Sequence, residues 1–190
     1  MTVPYFTEGQ ARSIIRDTYG QAHSDADAVA ALLYSADELA PLPRGAIELA
    51  LGVGNPVRLA ALKPGEVVLD LGCGAGIDTI LAALAVGPGG RVVGVDMTPE
   101  MVERARQHAS LAGAKNVEIR EGVMEDLPLP DASVDVVVSN GVLGLSPRQS
   151  RALAEVTRVL RPGGRVAIAD LVVTERLPDD VLKHPAALAG

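Results

Sequence analysis

The sequence predicts an α/β protein with a doubly wound, mostly parallel sheet of about five strands, and three observations carry that prediction. From Glu66 onward, short β-branched runs alternate with longer helical patterns, the signature of parallel strands covered by helices on both faces. The runs at 66–71 and 91–96 are apolar on both faces, as strands buried between two helical layers must be. No strand pattern precedes Glu66. Residues 1–65 are therefore expected to form a helical cap and residues 66–190 the core of a single domain, since the cap has too few apolar residues for a core of its own.

Taken in order, residues 8–19 form an amphipathic helix ending at Gly20. Shorter helical pieces follow, punctuated at Pro41-Leu42-Pro43 and Gly52-Val53-Gly54-Asn55-Pro56. After the strand at 66–71, an Ala/Leu helix over 77–86 is closed by Gly87-Pro88-Gly89-Gly90. The strand at 91–96 leads to Thr98, which caps a helix with Pro99 in its first turn that runs to Gly113. Residues 117–120 alternate like an edge strand, while 134–139 and 165–170 look central. Between these last two, a helix over 149–160 is stopped by Arg161-Pro162-Gly163-Gly164.

The chain has 190 residues, 48% hydrophobic and 22% charged, which fits one globular core and excludes wholesale disorder. Its aromatics, Tyr5, Phe6, Tyr19 and Tyr34, all fall in the cap, so the core must be aliphatic. The net charge of −7 disfavours nucleic-acid and anionic-membrane partners, which need clustered positive charge, and points to a small-molecule partner. Cys73 is the only cysteine, so neither a disulfide framework nor a multi-thiolate metal site can form within the chain, and no metal is expected. The start MTVPYFTEGQ has no basic, apolar leader and no run approaches the roughly 18 apolar residues that span a bilayer. A cytoplasmic location follows as the expectation.

The sharpest chemical signal is Leu69-Asp70-Leu71-Gly72-Cys73-Gly74-Ala75-Gly76, a glycine turn between an apolar strand and a helix. Glycines there let the backbone approach a nucleoside closely, beside the free amides of a helix N-terminus. Ile77 stands where a dinucleotide fingerprint requires its third glycine, and Asp70 would oppose a pyrophosphate but attract a cationic ligand. Asp96 ends the second strand, placed to accept both hydroxyls of a ribose. Met124 and Glu125 follow the third strand, where an adenine would sit with its amine donating to Glu125. Asn140 ends the fourth strand, where it would face the reacting centre or the methionine moiety of a cofactor. No general base stands out. His23, Tyr19 and Asn140 are the catalytic candidates, Tyr19 and Tyr34 could close over the cofactor, and His108 is expected on the surface.

Residues 69–76, Gly94-Val95-Asp96-Met97-Thr98-Pro99-Glu100-Met101, Leu127-Pro128-Leu129-Pro130-Asp131 and Arg158-Val159-Leu160-Arg161-Pro162-Gly163-Gly164 together resemble the class I S-adenosylmethionine-dependent methyltransferases, whose core is Rossmann-like. Within that superfamily, Tyr34-Ser35, Gly52-x-Gly54-Asn55-Pro56, Asp96-Met97-Thr98, Gly122-x-Met124-Glu125 and Ser139-Asn140-x-Val142-x-x-Leu145-Ser146-Pro147 resemble the arsenite methyltransferases. The resemblance implies S-adenosyl-L-methionine as cofactor and S-adenosyl-L-homocysteine as product. Asp70, Gly72, Cys73, Gly74 and Gly76 would hold it on one side. Asp96, Met97, Met101, Met124, Glu125, Asn140 and Tyr34 complete the implied cofactor set. The arsenite enzymes hold arsenic with cysteines at two positions that here are Val53 and Gly141, so the acceptor chemistry of that family is expected to be absent.

Superfamily members usually continue with two further strands, whereas this sequence ends within 177–190, long enough for one short helix. The strand at 165–170, prolonged by Leu171-Val172-Val173, would then be an unprotected apolar edge, and a homodimer through that edge or the C-terminal segment is expected. Three functional readings stay open: methyl transfer to a small molecule of unknown identity, a non-catalytic cofactor-binding or interaction protein, and arsenite methylation.

Overall fold

The computed structural model describes residues 6–20, 26–175, 178, 181, 183 and 184. The cap comprises α1 (Glu8–Gly20), α2 (Ala26–Leu33), α3 (Ala36–Leu39), α4 (Arg44–Ile47) and α5 (Pro56–Ala60). The core then alternates β1 (Val67–Leu71), α6 (Ile77–Val86), β2 (Arg91–Asp96), α7 (Pro99–Leu111), β3 (Val117–Glu121) and β4 (Val134–Asn140). A 3-10 turn at Leu143–Leu145, α8 (Gln149–Val159) and β5 (Leu160–Ala169) complete the described elements.

All five strands are parallel, in the order β3-β2-β1-β4-β5. The pleat explains why the inner strands read as unbroken apolar runs. Leu69, Leu71, Val93, Val95 and Val137 point to one face, where Val156 and Val159 of α8 cover them. Val68, Val92, Val136 and Val138 point to the other, against Ala82, Ala83 and Val86 of α6 and Ala60 of α5. Leu69 and Ile80 are fully buried, and burial of such a side chain is worth roughly 1.5–3 kcal/mol. The cap does not stand apart from this core. Ala30, Tyr34, Leu42, Ala46 and Ala50 share one apolar cluster with Ile77, Ile80 and Leu81 of α6. Ser35 opens α3 with a capping box, its hydroxyl accepting from the Glu38 N–H while the Glu38 carboxylate accepts from the Ser35 N–H at 2.8 Å.

Several local expectations are corrected. β5 is an edge strand beside β4, as the early end of the sheet implies and not central as its residue pattern alone suggests. α8 does end at Val159, just ahead of Arg161–Gly164, but those residues form no separate loop: β5 includes them, with a register shift against β4 between Val134 and Val136. Leu171, Val172 and Val173 do not prolong the strand and are 66–80% exposed. Thr98 occupies the N-cap of α7, yet its side chain accepts no capping bond; Asp96 Oδ1 accepts from the Thr98 N–H instead, at 2.9 Å. His108 is buried, because the amphipathic α7 turns it inward and its Nδ1 lies 2.8 Å from the Ala75 carbonyl. Most of 177–190 lies outside the described residues, as does His23.

Candidate functional site

The strand order reverses direction at β1, which has β2 on one side and β4 on the other. In such sheets the crevice at the carboxyl ends of the two diverging strands is where ligands bind. A cleft with a cavity volume of about 130 Å³ opens there. Its floor is the turn after β1. The N–H groups of Gly72 and Cys73 both donate to the Val95 carbonyl, at 2.8 and 3.0 Å, which folds the chain sharply back over β2. Gly72 has φ +73°, and a Cβ there would stand 2.6 Å from Val142. Only glycine meets both conditions. At Gly74 a Cβ would meet no protein atom, so the turn is open above it.

Asp96, at the end of β2, braces this turn: Oδ2 accepts from the Gly74 N–H and Oδ1 from the Thr98 N–H, both at 2.9 Å. The Thr98 side chain and the Met97 N–H add to the donors around this carboxylate. Burial pushes the Asp96 carboxyl upward, against the opposing pull of these amides. Asp70 lies deeper, 2% exposed, and accepts from the Thr79 hydroxyl. Burial first, and the neighbouring Asp78 second, raise its carboxyl. Asp78 is also raised by burial, while Asn140 and Tyr34 hold it down by hydrogen bonding. The cleft thus gathers three carboxyl groups, Asp70 and Asp78 buried and Asp96 half-buried, whose ionised forms suit a cationic ligand.

The other wall is built by the cap. Tyr34, 5% exposed, donates its hydroxyl to Asp78 Oδ1 at 2.9 Å. Asn140, at the end of β4, holds the backbone of Val53 and Gly54. Arg12, Ile15 and Tyr19 of α1 lie over the cleft. Arg12 Nη2 donates to Glu125 Oε2 at 3.1 Å, and Glu125 Oε1 accepts from Ser146. Glu8 ties the same helix to Arg148 at 3.0 Å. Arg12 Nε is a buried donor without a partner among the described residues.

The structure brings Asp70, Gly72, Cys73, Gly74, Gly76 and Asp96 to the floor of this cleft, and Met97, Met101, Met124, Glu125, Asn140, Tyr34 and Tyr19 to its walls. His23 lies outside the described residues. Cys73 is buried and free, and burial holds its thiol protonated. Sequence reasoning missed Arg12, Asp78 and Ser146. Asp78 left a trace, an acid in the first turn of an otherwise apolar helix; Arg12 left none, since its partner is 113 residues away. The two positions at which the resemblance places arsenic-binding cysteines do face each other: a Cβ on Gly141 would lie 3.6 Å from Val53 Cγ1.

A five-stranded parallel sheet with a glycine turn after its first strand, an acid ending its second and an acid-lined cleft at the switch point defines a class I S-adenosylmethionine-dependent methyltransferase. Residues 62–189 match the model of the methyltransferase domain, and the chain belongs to that family. It stands close to the arsenite branch. An arsenite methyltransferase of Halobacterium salinarum is 54% identical over 157 residues, covering 83% of this chain and 40% of the relative. One from Aquipseudomonas alcaligenes is 44% identical over 137 residues, covering 68% of this chain and 39% of the relative. The crystal structure of an arsenic(III) S-adenosylmethionine methyltransferase from Chlamydomonas reinhardtii superposes with a TM-score of 0.71 at 40% identity, covering 87% of this chain and 55% of that one. The chain therefore spans about half the length of these relatives or less. Among the described residues no helix is long and apolar enough to cross a membrane.

Proposed function

We propose that this protein transfers a methyl group from S-adenosyl-L-methionine to a small, non-anionic acceptor that is not held by thiolates. The observation that carries the reading is the cleft itself: a glycine turn braced by Asp96, with Asp70 and Asp78 buried behind it. These residues fit the cofactor. Asp96 is a strand-end carboxylate facing the cleft where ribose hydroxyls would lie, the open face above Gly74 admits a nucleoside, and Arg12 Nε offers an unused donor. Met101 and Met124 supply apolar contact for a base, with Glu125 beside them. When bound, the cofactor supplies an electrophilic methyl on a sulfonium.

The chain's own contribution is orientation, which raises effective concentration by orders of magnitude without a dedicated base. The acceptor side is lined by Leu51, Val142, Leu145 and Pro147, and its polar groups are engaged: Tyr34 with Asp78, Asn140 with the cap loop, Ser146 with Glu125. Such a wall suits an acceptor whose nucleophilic atom already carries a lone pair. The carboxylates disfavour an anion.

Isothermal calorimetry with S-adenosyl-L-methionine tests the reading. Binding is expected, and Asp96→Ala weakens it about 10- to 100-fold, from roughly 1.5–3 kcal/mol of charged hydrogen bonding. Absence of binding in the unmodified protein would sink the reading.

Arsenite is the acceptor named for the relatives above, and it is the second reading. Against it, Val53 and Gly141 offer no sulfur and Cys73 keeps its proton, whereas soft trivalent arsenic prefers several thiolates. Incubation with arsenite, glutathione and labelled cofactor is expected to yield no methylated arsenic above a control without protein. The reading places the protein in the cytoplasm and pairs the β5 edge with a second copy. Light scattering at micromolar concentration checks that pairing, and a concentration-independent mass near 19.6 kDa excludes it.

A further inference from the structure

Asn140 does something unusual for a single side chain: it satisfies both sides of a backbone segment at once. Its Oδ1 accepts from the N–H groups of Val53, at 2.8 Å, and Gly54, at 3.1 Å. Its Nδ2 lies 2.8 Å from the Gly54 carbonyl, 2.9 Å from Asp78 Oδ2 and 3.1 Å from the Tyr34 hydroxyl. The Tyr34 hydrogen goes to Asp78 Oδ1 at 2.9 Å, so the phenol presents only lone pairs to Asn140. The loop comes close enough for this because it is glycine-rich: a Cβ on Gly52 would fall 2.3 Å from Asn140 Nδ2, and one on Gly54 would fall 2.6 Å from the Ala169 Cβ.

The amide has two ends, and only one orientation works. Flipped, its NH2 would face two backbone donors, and its oxygen would face the Asp78 carboxylate. A charge decides the orientation more firmly than neutral partners do, because hydrogen bonds to ionised groups are about twice as strong. Asp78 opens α6 directly after the glycine turn, and Leu51, Gly52, Gly141 and Val142 around the clasped segment line the cleft. One carboxylate thereby stands between the floor of the cleft and its acceptor-side wall.

We infer that Asp78 is a positioning residue: it sets the orientation of the Asn140 amide and, through it, locks the loop carrying Val53 and Gly54 as the acceptor-side wall. The assignment of that wall to the acceptor rests on the methyltransferase reading, whereas the clasp itself does not. Asp78→Asn removes the charge and leaves one acceptor oxygen, so the bond from Asn140 becomes a neutral one and the Tyr34 hydroxyl loses its acceptor.

Amide hydrogen exchange at Val53 and Gly54, measured on the full chain at fixed pH with and without S-adenosyl-L-homocysteine, tests the inference. In Asp78→Asn, protection at both amides is expected to fall about tenfold, the size of one charged hydrogen bond, while the Leu69 amide in β1 keeps its protection. The Asn140 side-chain NH2 resonances, pulled downfield by the carboxylate, shift toward those of a free amide. Tyr34→Phe, which deletes one oxygen and keeps the packing, lowers protection about threefold. The double variant is expected to lose less than the two combined, because both act through one amide. If Asp78→Asn does not fold, Tyr34→Phe decides. Unchanged exchange at both amides, or unmoved Asn140 resonances, overturns the inference. Failure to bind S-adenosyl-L-homocysteine with the clasp intact overturns the methyltransferase reading and leaves the clasp standing.

Discussion

The two walls of the cleft are held together by different means. On the β1–β2 side, Gly72 and Cys73 bond to Val95, and Gly74 bonds to Asp96, so the turn is fixed by neighbours in one strand-turn-helix unit. Where the cap closes over the cleft, Tyr34 reaches Asp78 across 44 residues, Gly54 reaches Asn140 across 86 and Arg12 reaches Glu125 across 113. The first wall forms wherever the sheet forms. The second exists only once the cap has docked, so it is the part of the site that can be loosened without unfolding the core.

The sharpest way to break this contrast is to attack the local wall. Gly72→Ala places a Cβ at φ +73°, 2.6 Å from Val142, with about 1–2 kcal/mol for the left-handed backbone and about 1–3 kcal/mol for overpacking. Stability against thermal unfolding is expected to drop by roughly 2–5 kcal/mol, and cofactor binding is expected to be lost with it. A variant with wild-type Tm would show that the turn is not the rigid wall.

The same contrast explains what the sequence made legible. The strands, the helix over 77–86 and the acid ending β2 were readable because apolar runs, Gly-Pro breaks and strand-end acids are local signals. The edge position of β5 followed from the order of elements and not from its residues, since the pattern at 165–170 alone looks central and only pairing distinguishes the two. His108 misled for a related reason: a polar residue on a charged helix reads as exposed, and its Ala75 partner lies 33 residues away. Asn140 was readable as a site residue, but its clasp on Gly54 was not, since nothing in an Asn-Gly pair announces a loop 86 residues upstream.

Asp70 sharpens the comparison through pH. Its folded carboxyl is raised above the ordinary 3.8, first by burial, so the native state holds a proton that the unfolded chain releases. The sign follows: its penalty is absent below about pH 4 and grows as pH rises toward the folded value. Paired carboxylates such as Glu66 and Asp135 are lowered instead, so they weaken the fold only in more acidic solution. Asp70→Asn keeps an acceptor for Thr79 and removes the buried charge. Each unit of raised pKa is worth about 1.4 kcal/mol, so the variant is expected to melt higher at pH 8, by at least about 1 kcal/mol, and to converge with the wild type near pH 4. Its affinity for the cationic cofactor is expected to fall about tenfold. A variant that gains stability and loses no affinity would show that the buried charge serves neither wall.

The smallest expected effect probes the distant wall at its outer rim, where α1 lies over the cleft. Arg12 is 31% exposed at its side chain and Glu125 only 7%, so their ion pair is partly screened, and Glu8 and Ser146 remain to share the load on either partner. Arg12→Ala is therefore expected to cost only about 0.5–1 kcal/mol in stability. Cofactor dissociation should respond more than stability, because the same substitution removes the unpartnered Nε and a tie between α1 and the rest of the cleft, Glu8 to Arg148 being another. A three- to fivefold faster release in stopped-flow is expected. Raising the ionic strength should produce the same change in the wild type, because salt screens exposed pairs first. The variant should then show little further salt dependence. If release is equally fast in both proteins at every salt concentration, α1 does not hold the cofactor side closed.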